Sequence, residues 1–462
     1  MNSILDQAAQ LLQNMSLCDR CLGRQFGNLL TGLTNKQRGF ALKVVLGLHE
    51  EWQRKLKKGA NNNRDVLQCL IRSGFTSLRD PFILQNHENR SPVDCELCNG
   101  IFSDMSLKNI ARIAVETVSD VDFGTFLVGS ILPSNLLERE DELRAKLNLD
   151  FGESMKSELN REVGKLVSDL LGDRAEGEFH NPDVVFVVTL QTAGYPSVKP
   201  QINPLFLMGA YRKLIRGIPQ SQWDCKTCRG TDADCPKCHG TGKLYETSVE
   251  ELISKPLIKL SNSSEAKFHG SGREDIDARM LGTGRPFILE LKEPRLRKIN
   301  LTEAETKINQ QAAGKVEITL TQFVNRDKVR EIKTRSSLMS KSYEMIIELG
   351  EEIKLTPEKI CEIEEFFSNR EIKQRTPLRV LHRRADKVRV RKVHNLELGV
   401  GGEPREGEFS VSQMNVKVVC EGGLYVKELM SGDNKRTKPS LAEILEVEVV
   451  PHNLDVLAVH SQ

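Results

Sequence analysis

Residues 268–287 read FHGSGREDIDARMLGTGRPF, and this is the most informative stretch of the chain. Four glycines, three arginines and two aspartates fall within it. Guanidinium groups form paired hydrogen bonds with carboxylates, so the composition predicts a tight polar loop in which arginines hold aspartates. Composition alone leaves two interpretations open, a catalytic loop and a structural turn closed by salt bridges.

The size and charge of the whole chain limit what surrounds this loop. At 462 residues the chain is too long for one typical core, so we expect two or three domains. Hydrophobic residues make up 39% and charged residues 28%, as in folded soluble domains. The net charge is only +2, so any nucleic-acid surface would be a local patch.

Targeting signals are missing from the sequence. The N-terminus lacks the basic start and the unbroken apolar run of a signal peptide. No stretch approaches the roughly 20 consecutive apolar residues that a membrane helix needs. We therefore expect a cytoplasmic protein without a membrane partner.

Eight of the eleven cysteines form four C-x-x-C pairs. Two such turns supply four thiolates to one zinc ion, which leaves no open position for water, so the predicted role of zinc is structural. The pairs at Cys225/Cys228 and Cys235/Cys238 are close in sequence and form a compact set. The pairs at Cys18/Cys21 and Cys95/Cys98 can share an ion only if the fold brings them together. The alternative is that these thiols are redox-active or simply buried. The solitary Cys69, Cys361 and Cys420 are expected to be buried. The predicted ligands are Cys18, Cys21, Cys95 and Cys98 for one ion and Cys225, Cys228, Cys235 and Cys238 for the other.

Several helices and strands can be placed from periodicity and capping signals. Thr302 and Glu305 fit a capping box, and Gly314 can end the helix that follows. Thr356-Pro357 predicts the start of another helix, which runs to about Ser368. Apolar runs and alternation predict strands at Val184–Val188, Val316–Val324 and Lys341–Leu349.

Three short motifs add chemistry to this framework. Arg273-Glu274-Asp275 has the R-x-D pattern of several pseudouridine synthase families, and Lys341-Ser342-Tyr343 has their K-x-Y pattern. Gly423-Leu424-Tyr425-Val426-Lys427 is similar to their G-x-Y-[I/V]-[R/K] strand. The chain as a whole resembles the archaeal and eukaryotic tRNA pseudouridine synthases of the Pus10 family over nearly its full length. The first two cysteine pairs, Tyr211-Arg212-Lys213 and His382-Arg383-Arg384-Ala385-Asp386 contribute to this likeness.

The resemblance implies an α+β, multidomain fold. It consists of a pseudouridine-synthase domain with a mixed or antiparallel sheet, preceded by a zinc-stabilised RNA-binding module that contains a THUMP domain. We expect a helical zinc-binding region at 1–102, a THUMP-like domain at 103–205 and the catalytic domain at 206–462, with a zinc knuckle at 225–238.

The resemblance also implies roles for individual side chains in the isomerisation of uridine. Asp275 is the predicted nucleophile, and Asp277 is the competing candidate two residues later. The ring of Tyr343 would stack on the base, and its hydroxyl would take part in proton movement. Lys427 would keep the aspartate ionised, although a solvated strand lysine is the alternative, and Val426 would form an apolar wall. No cofactor is expected in the chemistry.

Arginines provide candidate contacts to tRNA, the expected partner of a monomeric enzyme. Val388 and Val390 alternate with two arginines, which predicts a strand with its valines on the core and its arginines facing RNA; a solvated edge strand is the alternative. Tyr211, Arg212, Lys213 and Arg216 could extend this track. In the resembled family the substrate uridines lie at tRNA positions 54 and 55, in the TψC arm. The predicted substrate-binding arginines are Arg273, Arg279 and Arg285 around the loop and Arg383, Arg384, Arg389 and Arg391 in the basic run.

Three other functions were weighed against this one. A non-catalytic THUMP and zinc scaffold would not need Asp275, Tyr343 and Lys427 to converge. A tRNA methylase or thiolase would need a glycine-rich nucleotide loop, for which Gly282-Thr283-Gly284 and Gly399-Val400-Gly401-Gly402 are the nearest candidates. A zinc deaminase is rejected because Pro236 follows Cys235, whereas the deaminase pattern places proline before the cysteine.

Overall fold

The computed structural model describes residues 3–56, 64–75, 95–191, 196–335, 339–401 and 407–460. The chain divides into two compact units, Met1–Asn203 and Pro204–Gln462. Gly402 and the side chain of Arg383 lie outside the described part of the chain.

Unit 1 combines helices with a small sheet. It also contains two short 3₁₀ helices, Arg24–Phe26 and Gly172–Arg174. The helices are α1 (Ile4–Asn14), α2 (Asp19–Gly23), α3 (Asn35–Leu56), α4 (Arg64–Arg72), α5 (Asp104–Glu116), α6 (Ser134–Leu147) and α7 (Met155–Leu171). The strands are β1 (Thr125–Ile131), β2 (Glu176–Gly177), β3 (Val184–Thr189) and β4 (Ser197–Ile202).

The sheet of unit 1 has the order β2-β1-β3-β4. β1 is parallel to β2 and β3, whereas β3 and β4 are antiparallel. Val184, Phe186 and Val188 point to one face and are fully buried, as the alternation of a strand requires. Together with one apolar face of α7 they belong to a single core that continues into the cysteine-containing helices. The predicted boundary between residues 102 and 103 therefore lies within one packed unit.

Unit 2 is built on one large mixed sheet. A 3₁₀ helix spans Leu378–Arg383. The helices are α8 (Val249–Ser261), α9 (Leu301–Ala312), α10 (Arg326–Arg335), α11 (Pro357–Phe367), α12 (Val426–Ser431) and α13 (Leu441–Leu445). The strands are β5 (Leu205–Lys213), β6 (Glu265–Gly270), β7 (Arg279–Lys292), β8 (Val316–Val324), β9 (Lys341–Leu355), β10 (Glu371–Arg375), β11 (Val388–Val400), β12 (Phe409–Cys420), β13 (Thr437–Lys438) and β14 (Val449–Val459).

The strand order of unit 2 is β13-β10-β11-β12-β9-β14-β7-β5-β8, and β6 also pairs with β7. β14 and β7 are parallel, and the other pairs are antiparallel. This one parallel pair places the start of β7 beside β14, and β14 also pairs with β9. The sheet thus brings the segment around Asp275 next to the strand that carries Tyr343, which is what positions the site.

The predicted strands are confirmed, and β9 continues beyond the predicted end to Leu355. The helix from Pro357 to Phe367, capped by Thr356, is also confirmed. The capping box at Thr302 is wrong. Asn300 is the N-cap instead, since its Oδ1 accepts from the amides of Thr302 and Glu303 at 3.1 and 3.2 Å. Glu305 accepts from the amide of Leu320 on β8.

One expectation about the solitary cysteines is also wrong. Cys69 and Cys420 are buried, but Cys361 is exposed. It lies on α11, whose buried face is formed by Ile363 and Phe367. A residue two positions before Ile363 lies on the opposite side of a helix with 3.6 residues per turn, so Cys361 faces solvent.

Among the described residues, no helix has both the length and the apolar character that a membrane crossing demands.

A buried ion pair joins the helices of unit 1. Arg24 is fully buried and pairs with Glu140 on α6, whose side chain is 3% exposed. The same carboxylate pairs with Arg144 at 2.9 Å and accepts from the amide of Met155 at 3.3 Å. Removing one partner of a buried pair leaves a charge without compensation.

We therefore expect Glu140→Ala to lower the free energy of unfolding of unit 1 by about 3–5 kcal/mol, because two guanidinium groups lose their carboxylate. Amide hydrogen exchange of the full chain, followed in peptides from α6 and α7, measures this change. The matched control is Glu142→Ala, which removes an exposed carboxylate from the same helix. Equal exchange in the two variants would show that the ion pair does not stabilise the unit.

Candidate active site

The loop between β6 and β7 carries Asp275, and a buried ion pair fixes it. Glu274 and Arg285 are 6% and 1% exposed, and Arg285 Nε donates to Glu274 Oε2 at 2.8 Å. Arg285 Nη1 donates to the carbonyl of Ser271, also at 2.8 Å. A carboxylate stays charged away from water only when it is paired and hydrogen-bonded, so Arg285 determines where this loop can lie.

Tyr211 on β5 completes the coordination of the Glu274 carboxylate. Its hydroxyl lies 2.9 and 2.8 Å from the two carboxylate oxygens. Burial raises the pKa of this phenol, and the charge of Glu274 raises it further, so the hydroxyl remains a donor. Gln220 Nε2 donates to the Tyr211 oxygen and to the carbonyl of Gly272 at 2.8 and 2.9 Å. Gly272 has a φ of +86°, a conformation that favours glycine in this tight turn.

Two cations hold the backbone on either side of the nucleophile candidate. Lys213 is fully buried, and its Nζ donates to the carbonyls of Asp275 and Ile276 at 3.0 and 3.1 Å. Arg216 Nη1 donates to the carbonyl of Asp277 at 2.7 Å. The predicted RNA track is therefore wrong for Tyr211 and Lys213, since both are 0% exposed. Their polar atoms are needed inside the protein.

Arg379 is the cation that contacts Asp275. The Asp275 side chain is 33% exposed, and Arg379 Nη1 lies 3.1 Å from its Oδ2. Arg379 Nε donates to Glu428 Oε1 at 2.6 Å. Burial lowers the pKa of Arg379, but the bond to Glu428 and the two carboxylate charges raise it more, and the net shift is upward. The guanidinium beside Asp275 is thus permanently charged.

The predicted environment of Lys427 is wrong in two respects. The motif from Gly423 to Lys427 leads into helix α12 and is not a strand. Lys427 Nζ donates to Asp277 Oδ2 at 2.6 Å, so its partner is the competing aspartate. Burial raises the pKa of Asp277, but the hydrogen bond to Lys427 and the charges of Lys427 and Arg379 lower it, and the net shift is downward. Because a helix turns the chain at Val426, the alternation expected of a strand does not apply.

Tyr343 lies on β9 between Val418 of β12 and Val456 of β14. Burial raises the pKa of its phenol, and the charge of Asp275 adds to the increase. Val426 is 5% exposed and belongs to the hydrophobic core against which Tyr343 packs. Ala278, which follows Asp277, belongs to the same core. Ion pairs connect Asp275 to Arg379 and Asp277 to Lys427.

The three arginines of the loop region have different partners. Arg273 is exposed, with its guanidinium carbon 5.2 Å from the centroid of the Trp223 ring. Arg279 Nε donates to Asp455 Oδ1 at 3.0 Å, and Arg285 holds Glu274. The sequence predicted that these arginines bind either phosphate or carboxylate. Within the protein, Arg279 and Arg285 bind carboxylates.

The arginines of the basic run are not all free to face a ligand. Val388 and Val390 are 66% and 43% exposed, whereas Arg389 and Arg391 are partly buried. The predicted orientation of this strand is therefore wrong. Arg389 Nη1 donates to Thr376 Oγ1 at 3.1 Å, and Arg391 Nε donates to the carbonyl of Gly422 at 3.0 Å. These internal bonds turn the arginines inward. Arg384 is exposed and donates to the Tyr425 hydroxyl at 3.3 Å.

Two groups of four cysteines could each hold a metal ion. Within each group the sulfur atoms all lie within 4.8 Å of one another. Cys18 and Cys98 Sγ are 3.9 Å apart, and the Cys225–Cys235 and Cys228–Cys238 pairs are separated by 4.0 and 3.6 Å. Four sulfurs at about 2.3 Å from a tetrahedral ion are about 3.8 Å apart. The donor sets therefore fit such an ion, and the fold does bring the two distant N-terminal pairs together.

Comparison with known proteins identifies the family. The family model "Pus10, C-terminal" matches residues 206–460, and "Pus10 THUMP domain, archaeal" matches residues 110–189. A relative from Methanocaldococcus jannaschii is 40% identical over 457 residues, 98% of this chain and 94% of its own length. One from Methanopyrus kandleri is 39% identical over 460 residues, 98% of each chain. Both are named tRNA pseudouridine synthase Pus10.

The chain belongs to the Pus10 family. This confirms the predicted family, the α+β fold with a THUMP domain, and the enzyme class, an isomerase that converts uridine to pseudouridine. A methylase or thiolase would need a glycine-rich loop between a strand and a helix. Gly282 and Gly284 lie inside β7 and Gly399 lies inside β11, so these glycines do not form such a loop.

Four residues of this Pus10 site were missed by the sequence analysis: Arg379, Glu428, Glu274 and Lys213. Glu274 stands inside the R-x-D motif and Lys213 inside the Tyr211-Arg212-Lys213 motif, so their positions were known but not their burial. Arg379 lies about a hundred residues from Asp275, and no local spacing relates the two. The sequence also does not show whether a lysine is buried or exposed to solvent.

We expect Lys213→Met to lower the single-turnover rate of pseudouridine formation in an RNA substrate by about 10- to 10²-fold. The carbonyls of Asp275 and Ile276 would each lose one donor, and a displacement near 1 Å is enough for such a loss of rate. Lys292→Met, at the exposed end of β7, is the control. An unchanged rate in a folded Lys213→Met protein would show that the loop does not need this clamp.

Proposed function

We propose that this chain isomerises uridine to pseudouridine in tRNA, with the Asp275 carboxylate as the nucleophile. One observation carries the proposal. Asp275 lies on a loop fixed by a buried ion pair, beside the guanidinium of Arg379 and within electrostatic reach of Tyr343. The names of the relatives, tRNA pseudouridine synthases at up to 98% coverage of both chains, support tRNA as the substrate.

The chemistry needs the C1′–N1 bond broken, the base turned, and C5 joined to C1′. A carboxylate that adds covalently to the sugar or the base divides this change into easier steps. Arg379 pairs with the Asp275 carboxylate, with 3.1 Å between Nη1 and Oδ2. The Tyr343 ring would stack on the extruded uracil, with Val426 as an apolar wall. No small-molecule cofactor takes part.

Binding of folded RNA must offset the extrusion of a base, which costs a few kcal/mol. Phosphate contacts provide that free energy and fix the register. Arg273 and Arg384 are exposed and suited to this role, and Arg383 precedes Arg384 in the same basic run. The protein would bind tRNA as a monomer.

The substrate uridines would be those at positions 54 and 55 in the TψC arm. Support for this choice comes from the match of residues 110–189 to a Pus10 THUMP domain, an accessory RNA-binding module that precedes the catalytic region. No side chain of the site selects these two positions by its chemistry.

Both cysteine clusters would hold zinc in a structural role. All four donors in each are sulfurs, which suit zinc, and none of the positions is left for water. Metal binding would stabilise the loops around Cys225–Cys238, whose buried residues are the four cysteines themselves.

Asp275→Ala is expected to abolish pseudouridine formation while tRNA binding remains within about twofold of wild type. The carboxylate is the nucleophile, and its removal leaves the phosphate contacts intact. Chemical mapping of pseudouridine in an unmodified tRNA transcript measures the product. Asp277→Ala should retain measurable activity, since Asp277 pairs with Lys427 and lies in solvent. Full activity of the Asp275 variant would refute the proposal, and loss only in the Asp277 variant would transfer the role.

Removal of one cluster is expected to halve the metal content of the protein. We expect two zinc ions per wild-type chain, and one in Cys225→Ser/Cys228→Ser or in Cys18→Ser/Cys21→Ser, by elemental mass spectrometry. Cys361→Ser, which changes an exposed solitary cysteine, should keep both ions. Wild-type protein that carries no zinc and forms disulfides within the pairs would favour redox-active thiols.

A further inference from the structure

Lys341 is a buried lysine at the start of β9 that the reaction described above does not use. Only 8% of it is exposed. Its strand neighbours are Cys420 on β12 and Val459 on β14. Since side chains two residues apart in a strand point to the same face, Lys341 lies beside Tyr343, with about 6.6 Å between their Cα atoms. The side chains of Lys341 and Tyr343 therefore lie on the same face of the sheet.

Among the residues that the structure describes, this ammonium group has no anionic partner. Across the described parts of the chain, no carboxylate forms an ion pair with Lys341 Nζ and no acceptor forms a hydrogen bond with it. Arg285 and Glu274 act on it electrostatically from the loop region, and the Cys420 thiol acts on it from β12. Glu274, however, is already bonded to Arg285 and Tyr211.

The buried groups of the site therefore carry an excess of positive charge. Lys213, Arg285 and Lys341 are each at most 8% exposed. Of the two buried carboxylates, Glu274 pairs with Arg285 and Glu428 pairs with the more exposed Arg379. A buried cation without a partner is destabilising. Such an arrangement stabilises an anion that arrives with the ligand or develops during the reaction.

We infer that the Lys341 ammonium stabilises the negative charge that develops on uracil when its glycosidic bond breaks. The inference rests on the proposed function, because it needs uracil to stack on Tyr343. It makes Lys341 a catalytic residue that contacts the base, in addition to the nucleophile and the tyrosine.

The charge balance of the reaction explains the need for such a group. When the C1′–N1 bond breaks, its electron pair stays with the base, and uracil becomes an anion with charge spread over N1, O2 and O4. The base then turns and C5 bonds to C1′. A proton leaves C5 and N1 gains one, so the product is a neutral isomer. The cation is needed only while the base is detached, when interactions specific to that state accelerate the reaction.

The local environment gives this role a measurable pH dependence. Burial and the nearby Arg285 lower the pKa of Lys341 to about 8. Of its other neighbours, Cys420 and Glu274 raise the pKa, and Val459 on β14 is uncharged. The charged form is present below pH 8 and is lost as the pH rises through this value. A role as an ammonium group therefore predicts a rate that falls above pH 8.

The test is the single-turnover rate of pseudouridine formation in a tRNA transcript from pH 6 to pH 9.5, with the full chain. Lys341→Met is expected to lower the rate at pH 7 by about 10²- to 10³-fold, to leave tRNA affinity within twofold, and to remove the fall above pH 8. Lys341→Arg should keep more activity than Lys341→Met and hold it up to pH 9.5. Lys354→Met, an exposed lysine further along β9, is the control.

Several outcomes would overturn the inference. They are a folded Lys341→Met protein within threefold of the wild-type rate, a wild-type rate that rises through pH 8, and a Lys341→Arg profile that still falls at pH 8. The last comparison decides the matter if Lys341→Met does not fold. Absence of pseudouridine with wild-type protein would refute the proposed function together with this inference, whereas an active wild type with an indifferent Lys341 would refute the inference alone.

Discussion

The ion pair between Arg285 and Glu274 is the interaction on which the site depends. Both groups are almost completely removed from water, and each would be strongly destabilising without the other. Their bond fixes the loop that presents Asp275, while Tyr211 and Lys213 use the remaining acceptors of the carboxylate and the backbone. These bonds hold the loop in one position, in which the Asp275 side chain is 33% exposed.

The large sheet explains how such a site is assembled from distant segments. β9 is central, with β12 on one side and β14 on the other, and β14 joins β7 through the one parallel pair. Tyr343 and Lys341 on β9 thus lie near a loop that precedes β7 by a few residues. Arg379 and Glu428 come from segments outside the sheet. Arg379 pairs with both Asp275 and Glu428. Strands carry Tyr343, Lys341 and Arg285, whereas the loop before β7 carries Asp275 and a 3₁₀ helix carries Arg379.

The cysteine clusters solve a different physical problem. The residues from Cys225 to Cys238 have almost no apolar side chains to bury, so sulfur–metal bonds would take the place of a core. In unit 1 the four cysteines are part of an extensive hydrophobic core instead. A metal there would join the Cys18/Cys21 and Cys95/Cys98 segments of a unit that is already packed. Arg24 connects that cluster to the buried ion pair, because its Nη2 lies 3.8 Å from Cys21 Sγ and its guanidinium pairs with Glu140.

The sequence by itself determined much of what depends on local patterns. The strands at Val184 and Val316, the helix that begins at Pro357, both sets of cysteine pairs and the R-x-D and K-x-Y motifs could all be read directly, because periodicity, capping and spacing are properties of neighbouring residues. The sequence likewise pointed to the enzyme class and the family, since the motifs recur along the chain.

Only the tertiary structure decided which charges meet. The sequence predicted that Lys427 pairs with Asp275. In the structure Lys427 lies on a helix and pairs with Asp277, whereas Asp275 pairs with Arg379, which is remote in sequence. The arginines of β11 were assigned to the surface, but hydrogen bonds to Thr376 and Gly422 turn them inward and expose the valines. The physical reason is common to these cases: the partner of a charged side chain is set by burial and by contacts across the sheet, and neither is encoded in the spacing of residues along one segment.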